Sequence, residues 1–282
     1  MKAPLRTLAE LVRAPAALSV PGDVIAGAAA AGTLGRRSAG LAAASVCLYW
    51  AGMAANDWAD KDLDAVERPE RPIPSGRVSP PVALGVAGWL TAAGLVLAGR
   101  AGGPRALAVA VPLAAAVWTY DLQLKNTAAG PLGMAACRAL DVLLGASAGD
   151  PVRALPAAAT IAAHTFALTV TSRHEVAGCP NAWQPALALA TTTAVTGTTS
   201  LSGGPVAAVL AGRYAATYGR AQSVLLRDAR PSRVRAAVGA GITALPTLQG
   251  ALTARAGNPL VGLVVAAAAP LGRLLARRVS PT

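Results

Sequence analysis

Asn56-Asp57-Trp58-Ala59-Asp60-Lys61-Asp62-Leu63-Asp64, running on through Ala65-Val66-Glu67-Arg68-Pro69-Glu70-Arg71-Pro72-Ile73-Pro74-Ser75-Gly76, is the stretch from which the rest of the chain is read. It follows an apolar run and packs four aspartates into eight residues of a chain otherwise poor in acids. Asp57, Asp60 and Asp64 stand at i, i+3 and i+7, so a helix would set them on one stripe. Three carboxylates on one stripe repel each other unless a cation sits among them. Mg²⁺ suits such a place: it takes hard oxygen ligands, keeps several waters and shares its other positions with phosphate oxygens. Asn56 adds a neutral amide beside the stripe. Arg68, Arg71 and Arg77 follow, and guanidinium groups pair bidentately with phosphate. Pro69, Pro72 and Pro74 end any helix and stiffen the loop. The stretch reads either as a Mg²⁺–diphosphate grip at a helix end or as an acidic, solvated helix end beside a basic loop. The Arg/Pro tail and the position at the edge of an apolar run favour the grip.

Working outward, the composition sets the solvent. The 282 residues are 54% hydrophobic and 13% charged, with mean hydropathy +0.49; soluble domains carry about 25% charged residues. Apolar runs of about 18 to 20 residues recur along the chain, each long enough to cross a hydrocarbon core of roughly 30 Å. The expected fold class is therefore all-α: a polytopic transmembrane helical bundle of nine to ten helices, one domain over 1–282, with a central cavity opening to the cytoplasmic side. The net charge of +12 raises nucleic acid for a soluble domain. In a membrane protein it is explained by arginines facing the cytoplasm and anionic headgroups, so no nucleic-acid partner is expected. Cys47, Cys137 and Cys179 are scattered and imply no disulfide framework. Lys2, Arg6 and Arg13 precede the first apolar stretch, which reads as an uncleaved span rather than a signal peptide.

Spans are expected near 15–33, 39–57, 80–99, 104–121, 130–149, 154–172, 184–201, 204–226, 233–253 and 258–276. They are separated by turn signals such as Gly102-Gly103-Pro104 and Gly149-Asp150-Pro151. With ten spans, about sixteen basic residues fall on the N-terminal side and about six on the other, which places both termini and the Asp-rich loop in the cytoplasm. The longer gaps between spans lie on that same side, so the site is expected to face it.

Ionisable groups inside spans are costly and tend to line cavities or face the bundle interior. Arg138 and Asp141, at i and i+3, are placed to pair with each other. Tyr120, Asp121 and Lys125 close the fourth span; Lys125 there either reaches a diphosphate or snorkels to headgroups. His164 reads as a hydrogen-bonded packing histidine. Ser172-Arg173-His174-Glu175 closes the sixth span, where Glu175 is a second cation ligand or part of a polar helix end. Arg213, Tyr214, Tyr218 and Arg220 recur at helical spacing, facing a cavity or anchoring an interface. No G-x-x-x-x-G-K-[ST], H-E-x-x-H or G-x-S-x-G occurs, which removes support for P-loop ATP use, zincin and hydrolase chemistry.

With these residues assembled, the chain resembles the UbiA superfamily of intramembrane prenyltransferases. The resemblance rests on Asn56-Asp57-x-x-Asp60-x-x-x-Asp64 with Arg68-Pro69-x-Arg71-Pro72-Ile73-Pro74-Ser75-Gly76, supported by Tyr120 and Lys125, and in span order it runs over roughly residues 10 to 253. It implies that Asn56, Asp57, Asp60 and Asp64 hold Mg²⁺, with Glu175 as a further ligand. Arg68, Arg71 and Lys125, joined by Arg138 and Arg173, would face the diphosphate. The family's second acidic motif would fall at the end of the sixth span, where this chain reads Thr171-Ser172-Arg173-His174-Glu175-Val176-Ala177-Gly178 with a single acid.

The resemblance implies Mg²⁺-dependent transfer of a prenyl group from a prenyl diphosphate to an aromatic or other lipophilic acceptor in a bacterial-type inner (plasma) membrane. Membrane lipids are the surroundings, and the oligomeric state is left open. The rival readings are a terpene cyclase of the same superfamily, in which the cation is captured within its own chain, and a non-catalytic isoprenoid- or lipid-binding membrane component.

Overall fold

The computed structural model describes residues 5–201 and 203–268, and helices stand at each of the ten expected places. The chain runs α1 (Leu5–Leu11), a 3₁₀ segment (Ala14–Ser19), α2 (Pro21–Ala30), α3 (Arg36–Ala59), α4 (Lys61–Glu67) and α5 (Pro80–Thr119). It continues through a π-helical turn (Tyr120–Leu124), α6 (Gly130–Ala146), a 3₁₀ turn (Pro151–Ala154), α7 (Leu155–Ser172) and α8 (Trp183–Leu201). Then follow α9 (Gly204–Tyr214), a second π turn (Ala215–Gly219), α10 (Arg220–Leu225), α11 (Pro231–Arg255) and α12 (Pro259–Ala268). No strand occurs among the described residues. Residues 269–276 of the tenth expected span lie outside the described residues, as do Lys2, Arg273, Arg277 and Arg278 of the charge comparison.

By length and apolarity, three described stretches are sufficient to cross a bilayer: Arg36–Ala59, Pro80–Leu124 and Pro151–Ser172. Several of the others are shorter or interrupted, α2 being only 10 residues long and therefore about 15 Å. The protein is an integral membrane protein built as an all-helical bundle.

α5 contains two of the expected spans. Gly103 has φ 67° and ψ −155°, outside the helical region, a conformation glycine adopts without a Cβ penalty. The chain reverses there. Trp118 Nε1 donates to Thr91 Oγ1 at 3.0 Å, whereas residues so far apart in a straight helix would be separated by about 40 Å. The hairpin packs on α3 through Leu41, Leu48, Ala98, Ala106, Ala110 and Leu113.

Small residues let the helices close on each other, as membrane bundles require. Gly27 of α2 lies against the Val142 carbonyl of α6, and Gly145 of α6 against the Val24 carbonyl of α2, so that a Cβ at either would collide with backbone. The second half packs around Tyr214 and Tyr218, both fully buried with Ile161, Val195 and Leu248. This corrects the expected stripe: the two tyrosines neither face a cavity nor anchor an interface. Their rings pack against His164, which shares a hydrogen bond with Tyr214 at 2.8 Å, the packing role expected for that histidine.

The halves are tied by polar groups. Arg138 does not pair with Asp141. Its Nε lies 2.8 Å from Asp23 Oδ2 on α2, while Asp141 accepts from Ser45 at 2.5 Å. Gln249 of α11 donates to Asp23 at 2.6 Å and to the Ser19 carbonyl at 2.7 Å. A charge buried in lipid needs a partner of opposite sign, and the better placed partner is on another helix.

Candidate functional site

The acidic stretch does not form one unbroken helical stripe. α3 stops at Ala59, Asp60 stands at the junction with φ −91° and ψ 6°, and α4 starts at Lys61. The break divides the acids. Asp57 and Asp64 face the Arg/Pro loop, and Asp60 turns to the end of α5.

The Arg/Pro loop is stiff for local reasons. Arg68 precedes a proline, which disfavours helix, and it leaves α4 at φ −146° and ψ 62°. The Arg71 carbonyl accepts from Ser75 Oγ at 2.7 Å, and Val78 N donates to the Pro72 carbonyl at 2.9 Å. Ile73 and Val78 are buried against Leu11, Ala54 and Ala83, fastening the loop to α1, α3 and α5. Arg77 pairs with Glu10 and donates to the Glu70 carbonyl at 2.6 Å, so it braces the loop instead of facing the acids.

Held this way, Arg71 points one guanidinium nitrogen between two aspartates. Nη1 lies 2.5 Å from Asp64 Oδ2 and 3.4 Å from Asp57 Oδ1. Both aspartates are almost closed off from solvent, at 2% and 3% exposure respectively. Arg13 Nη2 reaches Asp57 Oδ1 at 2.8 Å, and Arg68 lies 3.8 Å from Asp64.

The other cluster is set by the π turn. Its wide turn lets Lys125 N donate to the Tyr120 carbonyl at 2.9 Å, and Lys125 Nζ meets Asp60 Oδ1 at 2.6 Å. Asp121 in the same turn is buried and accepts from Asn56 Nδ2 at 3.3 Å. The expected residues therefore fall into two neighbouring clusters, Asp57, Asp64, Arg68 and Arg71 in one and Asn56, Asp60 and Lys125 in the other. Arg13 and Asp121 join them, though the sequence reading assigns neither to the site. Arg13 reads there only as a topology signal; for Asp121, its place next to Tyr120 is the legible hint.

Arg173 and Glu175 lie on an adjoining wall. Arg173 Nη1 donates to the Thr127 carbonyl at 2.6 Å, just beyond the π turn. Arg235 of α11 donates to the Glu175 carbonyl at 2.9 Å. Burial raises the Glu175 carboxyl above its ordinary range, opposed by the positive fields of Arg235 and Arg68. Arg138 is committed to Asp23 and does not enter the cluster.

Among the described residues no group of three or more His, Cys, Asp or Glu is close enough to hold a metal ion unaided. The donors nevertheless suit Mg²⁺. It binds through one or two carboxylates with water and substrate phosphate, not in an all-protein cage. Asp57 and Asp64, which already share a single cationic nitrogen, supply such a pair.

Comparison with known proteins places the chain among its relatives. Two solved structures share the fold. The apo structure of a UbiA homolog from Aeropyrum pernix K1 superposes with TM-score 0.69 at 18% identity, over 89% of this chain and 97% of that one. A structure described under digeranylgeranylglyceryl phosphate synthase gives TM-score 0.68 at 18% identity, over 89% and 98%. In sequence, the digeranylgeranylglyceryl phosphate synthase of Ignicoccus hospitalis is 42% identical over 123 residues, 44% of this chain and 40% of that protein. The chloroplastic chlorophyll synthase of Arabidopsis thaliana is 36% identical over 83 residues, 27% of this chain and 21% of that protein. The chain thus spans less than half the length of these curated relatives. The profile described as the UbiA prenyltransferase family matches residues 19–218, most of the chain and all of the acidic cluster, and the chain therefore belongs to that family.

Proposed function

We propose that the protein is a prenyltransferase of the cytoplasmic leaflet of the plasma membrane, with its N-terminus in the cytoplasm, moving a prenyl group from its diphosphate to a lipophilic acceptor. The observation that carries this reading is the Arg71 guanidinium shared by Asp57 and Asp64, with Arg13 and Arg68 on the same two carboxylates and Lys125 on neighbouring Asp60. The place is built to hold positive charge between buried carboxylates at a bilayer edge. Similar proteins named as digeranylgeranylglyceryl phosphate and chlorophyll synthases support the general chemistry.

In this reading Asp57 and Asp64, with Asp60 and Asn56 beside them, hold Mg²⁺. When bound, that ion stabilises the negative charge that gathers on the departing diphosphate. Arg68, Arg71 and Lys125 then turn from carboxylate to phosphate oxygens, adding charge-assisted hydrogen bonds where charge develops. The allylic C–O bond breaks with its electron pair on the diphosphate. An electron pair of the acceptor forms the new bond to carbon, and the acceptor releases a proton. The apolar interior keeps water from the cation.

The test is purified protein in lipid nanodiscs with Mg²⁺ and allylic diphosphates of graded length, with and without aromatic and other lipophilic acceptors. Diphosphate release that requires acceptor, with a prenylated product, is the expected result. Release with a cyclic hydrocarbon and no acceptor would make the protein a cyclase, and tight binding without release would make it a carrier.

A further inference from the structure

The walls around the proposed diphosphate site differ in how many carboxylates they carry. On the α3–α5 side stand Asp57, Asp60, Asp64 and Asp121. The wall from the end of α7 offers Arg173 and, in the segment 171–178, the single acid Glu175. Glu175 is flanked by Arg235 and Arg68. Arg173 is exposed, and its hydrogen bond to the Thr127 carbonyl engages Nη1. That bond anchors it to the segment that follows Tyr120 and Lys125, and the structure gives its other guanidinium nitrogens no protein partner among the described residues.

From this asymmetry we infer that the diphosphate is held by one divalent cation, on the Asp57/Asp64 side, and by the Arg173 guanidinium on the other, in place of a second cation. The inference rests on the diphosphate reading above and adds the number of ions and the residue that replaces one. A planar guanidinium matches two phosphate oxygens at once. It brings one positive charge to the leaving group without an ion that must bind and leave in each cycle.

The experiment is Mn²⁺ titration followed by electron paramagnetic resonance, on the intact protein in nanodiscs, with inorganic pyrophosphate as the anion. One Mn²⁺ per protein is expected, bound more tightly when pyrophosphate is present. In Arg173→Ala, pyrophosphate affinity should fall about 10- to 100-fold, the worth of a charge-assisted contact, with the ion count unchanged. Arg173→Lys, which keeps the charge and loses the fork, should fall between. Two Mn²⁺ per wild-type protein, or undiminished pyrophosphate affinity in Arg173→Ala, would overturn the inference and leave the prenyltransferase reading standing. If pyrophosphate promotes no Mn²⁺ binding in the wild type, both fall together.

Discussion

Lys125 Nζ lies 2.6 Å from Asp60 Oδ1, joining the π turn after α5 to the junction between α3 and α4. The lysine is 12% and the aspartate 22% exposed, and the lysine nitrogen itself is closed off from solvent. Breaking a buried pair costs up to about 3–5 kcal/mol, and less where water still reaches the partner left behind, as it does Asp60. A charge-assisted contact to a reacting phosphate is worth about 1.5–3 kcal/mol. Lys125→Ala should therefore lower the melting temperature and, at a temperature where the variant is folded, lower kcat/KM for the prenyl diphosphate by about 10- to 100-fold. Lowered stability with kcat/KM unchanged in the folded variant, read by thermal melts and steady-state kinetics, would show that the lysine only braces the fold.

Arg71 is expected to behave differently, because its two carboxylates are nearly sealed from water. Removing one partner of a buried ion pair costs about 3–5 kcal/mol, since the remaining charge stays buried. Arg71→Ala should be destabilised by an amount of that order in the absence of metal. Millimolar Mg²⁺ should recover part of the loss, because the ion can occupy the space between Asp57 and Asp64. The readout is thermal unfolding in detergent with Mg²⁺ and with EDTA. A variant whose stability ignores Mg²⁺ would argue against a metal on these two aspartates.

Much of this site is legible in the sequence. The apolar runs set the bundle, and the Asp-rich helix end with its Arg/Pro tail marks where the chemistry lies, because spacing and composition along one stretch encode it. What sequence does not supply is partnership between helices. Arg138 and Asp141 have good helical spacing, yet Asp23 and Ser45 are the nearer partners across the bundle. Arg13 reaches Asp57 from the segment before α2, a contact that no local pattern announces. The faces of α9 and its π turn are unreadable for another reason. A helix in a membrane bundle is apolar nearly all round, so periodicity does not tell which side meets protein.

The tie between the halves gives a third expectation. Asp23 is fully buried, with Arg138 and Gln249 as its partners. Arg138→Met strands that carboxylate and should cost about 3–5 kcal/mol, whereas Arg138→Met combined with Asp23→Leu should recover most of it. The pair lies outside the acidic cluster, so pyrophosphate affinity in the folded double variant should match the wild type. Loss of that affinity, measured by calorimetry at a temperature where the double variant is folded, would return Arg138 to the diphosphate site.

The close approach of α2 and α6 yields the last. Gly27 and Gly145 each lie where a Cβ would strike a backbone carbonyl of the partner helix. Backbone atoms cannot swing aside as a side chain can, so Gly27→Ala must push α2 from α6. That movement strips contacts from the dispersion-packed interface that holds membrane helices together. Overpacking of this kind costs about 1–3 kcal/mol. Gly212, within α9, is exposed and has nothing within 4 Å of the position its Cβ would take. Alanine there meets no neighbour and removes the entropy cost of a helical glycine, about 0.5–1 kcal/mol. Gly27→Ala should therefore lower, and Gly212→Ala hold or raise, the temperature at which the purified protein loses helical circular dichroism. Because α2 also carries Asp23, separation at Gly27 should weaken the link to α11, and amide hydrogen exchange should rise in α11 around Gln249 as well as in α2. Unchanged protection in α11 would mean that the α2–α6 contact and the polar tie are independent.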